Sequence, residues 1–132
     1  MASELRVNTL KDASGNNSVA TSTVAQGSAK GWVNFNGTAT FDSSDTEIRG
    51  SFNITSTVEG PHNGDYDFGY TTNMADANYA VAGIANGSGF SNTMVNLDGA
   101  ITASTVLLRT LNTADARQDS DHVLVVVHGD LA

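Results

Sequence analysis

Large aromatic side chains in this chain are confined almost wholly to residues 29–79, which hold its single tryptophan, all three tyrosines and four of its five phenylalanines. A core draws much of its buried apolar area from such side chains, so the core must form around this stretch. Its spacing selects strands. Val33 and Phe35 flank polar Asn34, then Ile48, Phe52 and Ile54 fall on even positions, and Tyr66, Phe68 and Tyr70 repeat the two-residue beat. That is the period at which side chains share one face of a β-strand. Asn36-Gly37 and Asn63-Gly64 lie between these runs, and Asn-Gly supplies the positive φ angles of tight hairpin turns. The pattern predicts a meander with one buried face. Phe52 shares that face with Ile48 and Ile54, so its truncation to alanine is expected to cost about 3–5 kcal/mol.

Three blocks in order, WVNFNGT from Trp32, IRGSFNITS from Ile48 and NGDYDFGYTTNMADANYAV from Asn63, resemble the C-terminal head domain of bacteriophage tail-fibre and related virion proteins. The usual form of that family runs roughly as AKAWVNFNGTGT, IRDSFNVSS, NGTGDYTVNFT and MPDANYAV. The match extends through most of the chain, and the opening LRVNTLKDASGNN is similar to the segment ahead of many such heads. The departures, Gly64 to Tyr70 and Ala75 in place of proline, fall mainly in loops or on alternate faces. The resemblance implies an all-β head, an antiparallel two-sheet sandwich of jelly-roll-like form. It also implies a homotrimer displayed on a virion that is assembled in the host cytoplasm.

The totals are compatible with this. A chain of 132 residues suits one domain, and its 13 glycines, single proline and many Thr, Ser and Asn favour short strands and turns. A formal charge of −8 opposes attraction to nucleic acid or to an anionic membrane surface. Cysteine is absent, which excludes disulfide and thiol chemistry. No apolar run approaches the roughly 20 residues of a membrane helix, and the N-terminus lacks a signal core.

Residues 1–28 read as an extended N-terminal attachment arm and 29–132 as the head. Leu5, Val7 and Thr9 alternate with polar residues as in a short strand, while 12–28 offer only Val19 and Val24 besides small and polar residues. An arm of this composition orders itself against neighbours, with Leu5, Val7 and Leu10 as the attachment contacts. In the head, the nearly continuous apolar run His122 to His128 is expected to be buried on both faces, at the middle of a sheet or at a subunit interface. Residues 79–84, rich in small side chains, suit a crowded central strand.

Three loops are candidates for contact with a receptor or partner: Asp42, Asp45 and Glu47 in the first, His62 and Asn63 in the second, and Ser88, Phe90 and Asn92 in the third. The acids of the first do not have EF-hand spacing, and the glycines of the third lack the lysine and helix of a phosphate cradle. No nucleophile–base pair or metal-ligand spacing is signposted, so no catalysis and no cofactor is expected. His122 and His128 stand six residues apart on one strand, about 20 Å at 3.3 Å per residue. Only copies of one histidine around a threefold axis would share an ion.

The expected function is that of a non-enzymatic structural protein of a tailed phage, a surface-displayed trimer of tail-fibre or fibre-tip type. Its expected partners are other copies of itself, tail or capsid proteins and a host-surface glycan. Two alternatives stand beside it. A capsid decoration or cement protein is favoured by the short segment ahead of the head, where a fibre carries a long shaft. A carbohydrate-binding module would stack Trp32, Tyr66, Tyr70 and Tyr79 on sugar rings.

Overall fold

A computed structural model describes residues 5–41, 47–87 and 92–132. In chain order its elements are β1 (Thr9–Lys11), β2 (Ser18–Ala20), α1 (Thr21–Gly27), β3 (Gly31–Phe35), β4 (Ile48–Phe52), β5 (Ile54–Glu59), β6 (Asp65–Tyr70), β7 (Ala80–Asn86), β8 (Asn92–Leu97), β9 (Thr105–Leu111) and β10 (His122–His128). β3 to β10 form one antiparallel sheet in the order β4-β3-β10-β7-β8-β9-β6-β5. β4 and β5 lie at opposite ends of that order, yet a single residue, Asn53, joins them in sequence. The sheet therefore rolls back until its two edges meet. The outcome is the expected all-β antiparallel sandwich, nearly closed into a barrel. One half is β4-β3-β10-β7 and the other β5-β6-β9-β8, and β7 and β8 link them through the pairs Ala85↔Thr93 and Asn86↔Asn92.

Asn53 makes the corner. Its φ of 57° lies in the left-handed region, which asparagine tolerates better than most residues. Its side-chain amide donates to the carbonyls of Lys30 at 2.9 Å and Thr72 at 3.0 Å, and its Oδ1 accepts from Thr72 N–H at 2.6 Å. One side chain thus ties the start of β3, the β4–β5 junction and the segment after β6.

The core lies between the halves. Val33 and Phe35 of β3 and Val123, Val125 and Val127 of β10 face Tyr66, Phe68 and Tyr70 of β6 and Val106 and Leu108 of β9. Phe35 is its centre, edge-on to Tyr66 at 4.9 Å, to Phe68 at 5.4 Å and to Phe41 at 5.9 Å between ring centroids. Gly37 must be glycine for closeness, since a Cβ there would stand 2.2 Å from the Tyr66 hydroxyl oxygen. Only one of the two Asn-Gly pairs works as a positive-φ turn: Gly64 has φ +78°, whereas Gly37 is absent from the positive-φ residues.

Phe52 corrects the expected register. Phe35 pairs with Ile48 but Asn34 pairs with Gly50, a bulge that leaves Arg49 extra on β4. Even-numbered residues on either side of Arg49 therefore face opposite ways. Ile48 packs against the core, while Phe52 sits opposite Trp32 on the outer face and is 52% exposed. Ile54, past the Asn53 corner, turns inward again. Phe52→Ala is accordingly expected to cost less than about 1 kcal/mol in the isolated chain, in line with a surface substitution. Chemical denaturation at a concentration that keeps the chain monomeric measures it, and a loss of 3 kcal/mol would restore the original register.

The N-terminal segment is also corrected in part. It is not extended throughout: β1 and β2 pair as a separate hairpin that leads into α1. None of its described residues up to Ser28 is buried, and Leu5, Val7, Leu10, Val19 and Val24 are all exposed.

Candidate functional site

Strand register gives the head two distinct ends. β3 ends at Phe35, opposite Val123 near the start of β10, and β10 begins at His122 opposite Asn86, the end of β7. β8 begins at Asn92, next to the end of β9 at Leu111, and β9 also sets Arg109 opposite Asp65, where β6 begins. The connections β3–β4, β5–β6, β7–β8 and β9–β10 therefore all leave from one end. Gly31, where the N-terminal segment enters β3, pairs with Val127 at the other end. The strand ends that flank all three candidate loops thus lie at the end remote from that entry.

Within them the structure is selective. Asp42, Asp45, Ser88 and Phe90 lie outside the described residues, while Asn92 opens β8. His62 and Asn63 are exposed at the β5–β6 turn. Glu47, expected on the surface, is instead fully buried, and neither of its carboxylate oxygens has a hydrogen-bond partner among the described residues. It pairs through its backbone carbonyl with Asn36 N–H at 2.8 Å, which places the residue at the root of the connection.

An ionic ladder that sequence spacing did not reveal supports this end. The buried carboxylate of Asp65 contacts Nδ1 of His62 at 3.1 Å and the Arg117 guanidinium. Arg117 also reaches Asp98 at 3.2 Å, and Asp98 pairs with Arg109 at 2.7 Å. The ladder pins the β9–β10 connection to the β5–β6 turn and the outer side of β8 and β9. Asp67, beside it on β6, is raised above the usual carboxylate range, first by desolvation and then by Asp98 and Asp65. Gly64 N–H donates to Asp119 Oδ1 at 2.5 Å, and Thr110 Oγ1 donates to Gln118 O at 2.5 Å. These bonds fasten the same two connections.

The two outer faces of the sandwich differ sharply. β5-β6-β9-β8 carries the charges just described, with exposed Val58 on β5 and Met94 on β8 beside them. β4-β3-β10-β7 instead presents Phe52, Trp32, Leu124, Val126, Ala82 and Ile84, with Trp32 42% and Ile84 68% exposed. Register aligns them: Trp32 lies opposite Phe52 on one side and Val126 on the other, Val126 opposite Ala82, and Leu124 opposite Ile84. Trp32, Asn34, Val126, Leu124, Ala82 and Ile84 line a groove of about 440 Å³. The His122–His128 strand is thus central in the sheet, as expected, but buried on one face only. The other face, with half-covered Val126 and exposed Leu124, is what the apolar run left open.

Tyr66, Tyr70 and Tyr79 are buried in the core, so they cannot stack on a sugar ring. Trp32 alone of that proposed set is accessible. Among the described residues no group of three His, Asp or Glu side chains is placed to hold a metal ion.

Burial raises the hydroxyl pKa of Tyr66, Tyr70 and Tyr79 above the usual tyrosine range. A pKa raised by folding contributes stability that is fully present below the unfolded value, about 10, and is lost as pH climbs toward the folded value. These are the only tyrosines of the chain. Stability is therefore expected to be insensitive to tyrosine ionisation below about pH 10 and to fall steadily above it. Phenolate absorbance should appear together with loss of circular dichroism. Stepwise ionisation near pH 10 in a folded chain would show that the rings are accessible.

No family model matches this chain, and no match was found among curated proteins or solved structures.

Proposed function

We propose that this chain is a non-enzymatic structural protein of a tailed-phage virion, a homotrimer of tail-fibre type with one end attached to the particle and the other turned outward. The observation that carries the reading is the polarity of the head. The N-terminal segment, with Leu5, Val7 and Leu10 unburied, enters at one end, and the four connections that include every candidate loop leave from the other. A segment with exposed apolar side chains and no buried residue gains by docking on a neighbour. The β5–β6 turn with His62 and Asn63, braced by the ionic ladder, suits contact with a partner or a host surface, including its glycans. The blocks that carry the family resemblance support it further, because they supply structural positions: Val33 and Phe35 in the core, Asn53 at the corner, Tyr66 and Phe68 opposite.

Quantitative mass spectrometry of purified particles tests the reading. Tens of copies or fewer support a tail position, and hundreds support capsid decoration, which would use the same polarity. Absence from particles overturns both. A chain beginning at Ala29 is expected to fold, since Lys30 keeps its bonds to Val127 and Asn53, and to be missing from particles. Incorporation equal to that of the full chain would remove the attachment role of the first 28 residues.

A further inference from the structure

We infer that the outer face of β4-β3-β10-β7 is the contact between copies of this chain, with Trp32 buried against a neighbouring subunit. The inference rests on the trimer reading above and names its surface. Phe52, Trp32, Val126, Leu124, Ala82 and Ile84 make a contiguous apolar face across four strands. Soluble monomers seldom leave such a patch open.

Three observations favour a second copy as the occupant. The first is area. The chain exposes 7944 Å², whereas a folded monomer of 13.7 kDa exposes about 6,600 Å². The surface left open includes both the unburied N-terminal segment and this face, whose Phe52 and Ile84 are each more than half exposed. The second is charge. Copies carrying −8 each repel one another, yet the six side chains of this face are uncharged, while Asp65, Asp67, Asp98, Arg109 and Arg117 belong to the opposite half of the sandwich. Copies that meet here bury no carboxylate from that ladder. The third is direction. The face lies on the side of the sandwich, across β4, β3, β10 and β7, rather than at the entry end or the loop end. Subunits related by rotation about an axis parallel to the strands therefore keep every N-terminal segment at one end and every loop set at the other, as a cyclic oligomer requires.

Trp32 is the only tryptophan, so its fluorescence reports this surface directly. In the full-length chain at micromolar concentration, light scattering is expected to give a trimer whose Trp32 emission is blue-shifted. Acrylamide should quench it several-fold less than in the double variant Ile84→Glu/Leu124→Glu. That variant is expected to be monomeric with unchanged far-ultraviolet circular dichroism. A wild-type trimer whose Trp32 is as open to acrylamide as in the variant, or a folded variant that stays trimeric, overturns the surface and leaves the trimer reading standing. A monomeric wild type overturns the trimer reading itself. If the variant does not fold, dilution of the wild type decides: a red shift that tracks the fall in mass supports the surface, and emission that stays constant through dissociation overturns it.

Discussion

Phe35→Ala is expected to lower the stability of the head by about 3–5 kcal/mol, the range for truncation of a buried phenylalanine. Phe35 has no exposed surface and sits at the meeting point of both halves, with Tyr66, Phe68 and Phe41 rings within 5.9 Å. Part of the loss is transfer free energy and part is the cavity left among neighbours that cannot collapse, because Gly37 already lies against the Tyr66 hydroxyl. The edge-on ring contacts add roughly 0.5–1.5 kcal/mol each beyond burial. A domain of this size is stable by only about 5–15 kcal/mol, so the variant should lose a large share of that margin. Urea denaturation should show a lower midpoint with an unchanged slope. A cost below about 1 kcal/mol would mean that Phe35 does not stand between the two halves.

The contrast with Phe52 marks how far the sequence could be read. Alternation correctly located β3 and β6 and the inward set Val33, Phe35, Tyr66, Phe68 and Tyr70, and the apolar run His122 to His128 marked β10. Alternation misplaced Phe52 because a bulge is defined by pairing with another strand, and nothing in IRGSF itself marks Arg49 as the extra residue. For the same reason the half-open apolar face was hidden. His122 to His128 reads as buried twice over, and only the sheet order shows that one side faces the core and the other faces outward. Glu47 was assigned to the surface by its charge and its acidic neighbours, whereas its place next to Ile48, paired with Phe35, draws it inward. The turn at His62 and Asn63 was legible as a turn, but the meeting of the strand ends that flank the candidate loops was not, since it follows from the antiparallel register of strands distant in sequence. The ionic ladder from His62 to Arg109 has the same origin, as residues 62, 65, 98, 109 and 117 share no local spacing.

Asn53 offers the second large effect, and its cause is separable. Asn53→Ala is expected to cost about 2–3 kcal/mol from two sources. Alanine in the left-handed region loses on the order of 1 kcal/mol relative to asparagine. The substitution also leaves the part-buried Lys30 carbonyl without its partner, at about 1 kcal/mol, and removes two solvent-exposed bonds to Thr72, whose groups water can reach, at roughly 0.5 kcal/mol each. Glycine separates the two contributions, because it adopts φ 57° freely but has no side chain to make the bonds. Asn53→Gly should therefore recover about 1 kcal/mol of the alanine loss and no more. The remaining deficit measures the hydrogen bonds that tie the corner between β4 and β5 to Lys30 and Thr72. Hydrogen exchange should then rise in β4 and β5 before β9 or β10, because the edges open first when their corner is untied. If glycine restored full stability, the corner would depend on backbone conformation alone. If alanine cost less than about 1 kcal/mol, closure of the sandwich would not depend on Asn53.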